Sequence, residues 1–192
     1  GAVLVVAGCS GGPRSAARVT APASPAIVEG VALLGQGHPL LGRVWSVRER
    51  RYVDPARVEA EVRASRFVLL GERHGNPDHH ALQGRLIAAA GRDGRRAAVV
   101  AEQLDFDQQP AIDACRSGCA DVGAELGARV NWDRSGWPPY AGYRPVFDAA
   151  GAVRAPVYAG NAGAKRIRAL SRGEAPSAEE APWVGKARAP LS

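Results

Sequence analysis

Phe67-Val68-Leu69-Leu70-Gly71-Glu72-Arg73-His74-Gly75-Asn76-Pro77-Asp78-His79-His80 is the stretch that decides the fold. Four apolar residues closed by a glycine suit a strand buried on both faces of a parallel sheet. Asn76-Pro77-Asp78 then breaks the chain, and Leu82, Leu86 and Ile87 mark the apolar face of a helix over residues 79–90. Residues 97–101 repeat the strand signal and end at Glu102, and residues 156–160 repeat it again and end at Asn161. Ahead of the first strand, Asp54-Pro55 reads as an N-cap and first-turn proline, with Val58 and Val62 one helical turn apart. Residues 40–47 read as a further strand, and 110–116, 122–130, 143–152 and 164–170 as helices. Buried strands alternating with helices predict an α/β fold, a mostly parallel sheet flanked by helices.

The chain has 192 residues, 46% of them apolar and 23% charged, which is a globular profile and excludes a fully disordered chain. No apolar run reaches the length of a membrane-spanning helix. The net charge is +6, and Lys165 and Lys186 are the only lysines among 25 basic residues. The arginines are scattered and only 6% of residues are aromatic, so no nucleic-acid groove is expected.

Val6-Ala7-Gly8-Cys9 resembles a bacterial lipobox, in which the cysteine thiol becomes lipid-modified after cleavage. Residues 1–9 then read as the remnant of a signal peptide, and 10–38 as a flexible linker rich in Gly, Ser, Pro, Ala and Arg. That reading places the protein in the cell envelope, anchored to a membrane by lipid on Cys9, where disulfides survive. The competing reading makes residues 3–6 a first buried strand and Cys9 an ordinary core thiol. Residues 171–192 are polar and without period, so residues 39–192 are expected to be the N-terminal part of a longer domain.

In an open α/β sheet, ligands bind beyond the carboxyl ends of the strands. Those ends here deliver Glu72, His74, Glu102 and Asn161. Taken singly each has an ordinary explanation: Glu102 pairing an arginine, Asn161 making a turn. Three of the four histidines falling within residues 74–80 is harder to dismiss. Adjacent His79 and His80 point about 100° apart on a helix, so one faces away from any shared metal ion. Glu72 and Glu102 also form a candidate acid–base pair. The residues leave metal and acid–base chemistry both open.

Gly71-Glu72-Arg73-His74, Pro77-Asp78-His79-His80 and Gln83 resemble the signature of the ChaN-like haem-binding lipoproteins, of the Tiki/TraB/erythromycin-esterase superfamily. Residues 102–109, Trp132, the run Gly136-Trp137-Pro138-Pro139-Tyr140 with Tyr143-Arg144-Pro145-Val146-Phe147, and Asn161 follow in the family's order. The resemblance implies a lipid-anchored haem-binding protein of iron acquisition, with haem held by tyrosine at a dimer interface. It makes Tyr140 or Tyr143 the expected iron ligand, since phenolate favours ferric iron. Trp137 and Phe147 would wall the porphyrin, Arg144 or Arg134 would pair its propionates, and His74, Glu102 and Asn161 would complete the set. Against this, both tyrosines also read as packing residues with satisfied hydroxyls. The wider superfamily offers a second function, a metal- or carboxylate-dependent hydrolase using Glu72, His74 and Glu102. Family members run on into a second half with another histidine block, so the resemblance leads one to expect that the chain is truncated at its C-terminus. Cys115 and Cys119 have no second pair to complete a zinc site, so a local disulfide is expected.

Overall fold

The computed structural model describes residues 2–8, 38–178 and 180–181. Cys9 and the linker expected after it lie outside the described residues. Six strands and six helices are present: β1 (Ala2–Gly8), β2 (Val44–Ser46), β3 (Arg51–Val53), α1 (Pro55–Ala64), β4 (Phe67–Glu72), α2 (Pro77–Ala90), β5 (Ala97–Asp105), α3 (Gln109–Gly118), α4 (Val122–Arg129), α5 (Tyr140–Ala152), β6 (Val157–Asn161) and α6 (Ala164–Ser171). The main sheet is parallel, in the order β4-β1-β5-β6. The expected α/β architecture is therefore present.

Three local outcomes differ from expectation. The strand expected over residues 40–47 shrinks to β2, which pairs antiparallel with β3 as a separate hairpin. Its turn is fixed by the Glu49 N–H donating to Ser46 Oγ at 3.2 Å and by Arg50 in the left-handed region at φ 53°. Strand β5 runs four residues past Ala101 to Asp105, which brings Glu102 and Gln103 into the sheet. Finally, the backbone of Ala2–Gly8, expected to lie outside the domain, forms β1 between β4 and β5.

Only one face of the described sheet is covered by helices. Val99, Ala101 and Val157 are buried on that face, with Val68, Leu70 and Ala159 packed beside them. The alternate residues Phe67, Leu69 and Tyr158 are exposed on the other. Helices α2 and α5 form the main contact over the covered face, and Trp132, Tyr143, Phe147, Ile87 and Leu126 fill the core beneath them. Trp132 meets Tyr140, Tyr143 and Phe147 edge-on or tilted, so much of the aromatic run at 132–147 is core.

The α2–α5 crossing is close because Gly84 has no side chain. A Cβ there would stand 2.5 Å from the Pro145 carbonyl oxygen, a backbone atom with no rotamer to escape into. Gly84→Ala is therefore expected to lower stability by about 1–3 kcal/mol. Urea unfolding followed by circular dichroism measures it; an unchanged midpoint would mean the helices slide apart freely.

Cys115 and Cys119 are joined in a disulfide across the end of α3, with Cα atoms 4.7 Å apart, as the sequence led one to expect.

Candidate functional site

The site is organised by one buried carboxylate. Side chains alternate along β4, so Glu72 falls on the same covered face as Val68 and Leu70. Its side chain has no exposed surface. Four donors reach it: His74 Nδ1 at 2.8 Å, Tyr143 OH at 3.0 Å, and the Nε2 amides of Gln83 and Gln103, each at 3.1 Å. His80 Nε2 stands 3.4 Å from the second oxygen. Burial by itself would raise the Glu72 carboxyl; contacts from His80, His74, Tyr143 and Gln83 together outweigh it and hold it at about 2. The group is thus a fixed negative charge, with three donors on one oxygen and Gln83 on the other.

Each partner is delivered by a local device. Asn76 caps α2 through its side chain, Pro77 opens the helix, and His80 and Gln83, three residues apart, share the inward face. His80 is fully buried; its Nδ1 lies 2.8 Å from the Gly142 carbonyl and its ring stacks on Tyr143 with centroids 3.9 Å apart. His79 turns the other way and its Nδ1 accepts the Arg73 N–H at 2.8 Å. The divergence expected of adjacent histidines is realised, and only His80 joins Glu72.

His74 is the exposed end of the system. The Glu72 carboxylate fixes a proton on its Nδ1, which leaves Nε2 with a lone pair on a side chain 43% exposed. Trp137 packs edge-on against the imidazole, centroids 4.6 Å apart. Gly75 turns the chain after it at φ 76°, against Pro138. A carboxylate behind an imidazole fixes its tautomer and orientation, an arrangement found in metal ligation and in general-base catalysis alike.

Trp137 also borders a cavity of about 340 Å³ at the ends of β5 and β6, shared by Gln103, Asp105, Asn161 and Arg134. Asn161 donates from Nδ2 to Asp105 Oδ1 at 2.8 Å. Burial, and then neighbouring Asp107, push the Asp105 carboxyl above its usual value, against the lowering by Asn161. Trp137 therefore stands between His74, which it touches, and the cavity that Asn161 lines.

Several expected roles are corrected. Tyr143 is 1% exposed and spends its hydroxyl on Glu72, so it does not present an oxygen to iron. Burial, then the Glu72 charge, push its phenol well above the ordinary value, which disfavours the phenolate a ferric ligand needs. The Tyr140 hydroxyl donates to the Gly123 carbonyl at 2.8 Å, its ring stacks on Phe147, and burial raises it likewise. Arg144 faces Asp148 and Asp121 on the α4–α5 surface and is not aimed at the strand ends. Glu102 lies beside Gln103 on β5, where the pairing with β6 is irregular between Ala101 and Asp105, and its charge acts on the Tyr143 hydroxyl. Among the described residues, no group of three His, Cys, Asp or Glu side chains is placed to hold a metal ion.

Gln103 and the roles of His80 and Tyr143 as partners of Glu72 were not anticipated. The signal available was alternation: Glu72 lies two residues from Leu70, and Gln103 two from Ala101, both on the buried face.

Fold and site together define a parallel α/β domain with a buried carboxylate–histidine centre opening at its strand ends. The sequence pattern of the family described as haem-binding uptake, Tiki superfamily, ChaN, matches residues 58–191. The chain belongs to that family. A solved structure of ChaN from Campylobacter jejuni, described by its title as showing cofacial haem binding, has the same fold, with a TM-score of 0.60 at 18% identity. The match covers 70% of this chain and 54% of that one, so the chain spans about half the length of this relative. No curated protein sequence matches.

Proposed function

We propose that the chain binds haem as part of haem or iron acquisition in the cell envelope, with His74 Nε2 as the group offered to iron. Membership of the haem-binding uptake family over residues 58–191 is the observation that carries this reading. The residues fit the group at one point: an accessible imidazole nitrogen, with its tautomer fixed by Glu72, beside the Trp137 ring. Haem, when bound, supplies an iron centre open to axial ligands. The chain's own part is to hold His74 in one tautomer and orientation through Glu72 and to offer Trp137 as an apolar edge. Tyr140 and Tyr143 do not fit as ligands, for the reasons given above.

Lipid anchorage at Cys9 is supported by the sequence Val6-Ala7-Gly8-Cys9 alone. Cleavage ahead of Cys9 would remove β1, so an anchored chain and a chain with β1 in its sheet are two different forms. Dimerisation is proposed only from the family resemblance.

The test is a haemin titration of the full chain followed in the Soret region. Saturable binding is expected, and His74→Ala should weaken it by at least about tenfold. Tyr140→Phe and Tyr143→Phe should each retain the iron-ligand bands. Absence of saturable binding by folded protein overturns the proposal; loss of the bands in either Phe variant overturns the assignment to His74.

A hydrolase remains the second reading, favoured by the same Glu72–His74 pair, since an exposed Nε2 backed by a carboxylate is the geometry of a general base. Ester turnover abolished by His74→Ala, without haemin binding by the parent, would transfer the site to that class.

A further inference from the structure

We propose that a cleft at the amino-terminal edge of the sheet binds a small organic polyanion, with two or more carboxylate or phosphate groups on a flat apolar body. The cleft lies where β4, β5 and β6 begin and measures about 750 Å³, within the range of ligand pockets. Phe67 lines it and Glu72 ends the same strand, so it lies roughly 17 Å from the His74 site. It is a separate site and does not depend on the haem reading.

Charge is the first argument. Arg66, Arg95, Arg96 and Arg154 all line the cleft, and among the described residues no aspartate or glutamate does. None of the four has an acidic partner among the described residues; Arg95 donates to the Ser65 carbonyl and Arg66 lies over the Phe67 ring. Other arginines do carry acidic partners, among them Arg85 with Glu59, Arg129 with Glu125 and Arg144 with Asp148. Four like charges gathered without counter-charge repel one another, and an anion among them relieves that repulsion.

A buried donor is the second argument. Arg95 Nη1 is shielded from solvent and has no hydrogen-bond partner. A buried donor left unmatched carries a desolvation cost, which a shift of the Arg95 guanidinium toward a ligand oxygen in the cleft would remove. Guanidinium groups also suit carboxylate and phosphate because their paired N–H groups match two oxygens at once.

The ligand body follows from the remaining lining. Phe67 is 57% and Tyr158 40% exposed, large rings left open beside the arginines. A bare inorganic ion would use the arginines and leave both rings in water; an apolar body would cover them.

Two probes test this on the full chain by calorimetry: pyrophosphate, which is anion alone, and metal-free protoporphyrin IX, a flat dicarboxylate without iron. Both are expected to bind saturably and to compete. Arg96→Gln with Arg154→Gln, two exposed positions whose change spares the fold, should weaken both by at least about tenfold. Tyr158→Ala should weaken the porphyrin and leave pyrophosphate unchanged. His74→Ala should leave pyrophosphate unchanged, which separates this site from the haem proposal. Arg116→Gln with Arg129→Gln, remote and matched in charge, should alter neither probe. Failure of both probes to bind, or equal weakening by the remote pair, overturns the site. Pyrophosphate binding without porphyrin binding overturns the apolar body.

Discussion

Glu72→Gln is expected to lower stability at neutral pH by about 3–5 kcal/mol, the range found when one member of a buried charged network is removed. The carboxylate accepts from His74, Gln83, Gln103 and Tyr143. A glutamine keeps one acceptor oxygen and turns an NH2 group toward donors, so two or three polar groups lose their partner inside the core. The pH dependence carries the sign of a depressed carboxyl. Glu72 sits at about 2 in the fold against 4.5 for the free group. Its contribution is therefore fully present above about 4.5 and is lost as pH falls toward 2. The gap between parent and variant in urea midpoint should be wide at pH 7, shrink below pH 4.5 and nearly close at pH 2. A gap of constant width from pH 7 to pH 2 would mean that the charge does nothing and that only shape matters.

The network also bears on what a sequence can disclose. Glu72 and His74 were legible because a buried strand ended in glycine and polar residues followed at once. The joint role of Glu72, His80, Gln83 and Tyr143 was not, because Tyr143 lies 71 residues away in sequence and meets Glu72 only through the α2–α5 crossing. The aromatic run at 132–147 misled for a related reason: tryptophan, tyrosine and phenylalanine at such spacing serve a core and a ligand wall equally. Trp132, Tyr143 and Phe147 proved to be core, while Trp137 alone of the run's tryptophans touches His74. Glu102 was placed with Glu72 because the strand was read as ending before it. β5 instead runs on to Asp105, with irregular pairing to β6 between Ala101 and Asp105. The β2–β3 hairpin was missed because three-residue strands leave too little alternation to read, and Val47 at its tip continues the apolar pattern into the turn.

Removing residues 2–8 is expected to split the sheet. Among the described residues β1 is the one strand between β4 and β5: Val3 to Gly8 pair with Phe67 to Glu72 on one side, and Ala2 to Val6 with Ala97 to Ala101 on the other. Without it, two inner edges lose their ladder partners, and the strand that carries Glu72 loses its connection to the strand that carries Gln103. Exposed edges of this kind recruit other strands, so the shortened chain should aggregate or self-associate and lose cooperative unfolding. Size-exclusion chromatography and urea unfolding of the chain begun at Cys9 measure both effects. The outcome also decides between the two readings of the N-terminal apolar run. Short apolar segments serve a signal peptide and a buried strand equally well, and only the neighbours they acquire separate the two. If the shortened chain stays monomeric and unfolds at the parent's midpoint, β1 contributes nothing to the fold and the signal-peptide reading with lipid on Cys9 stands unopposed. If it collapses into aggregates, a mature protein beginning at Cys9 needs another strand between β4 and β5, and the haem site at His74 is assembled only once that place is filled.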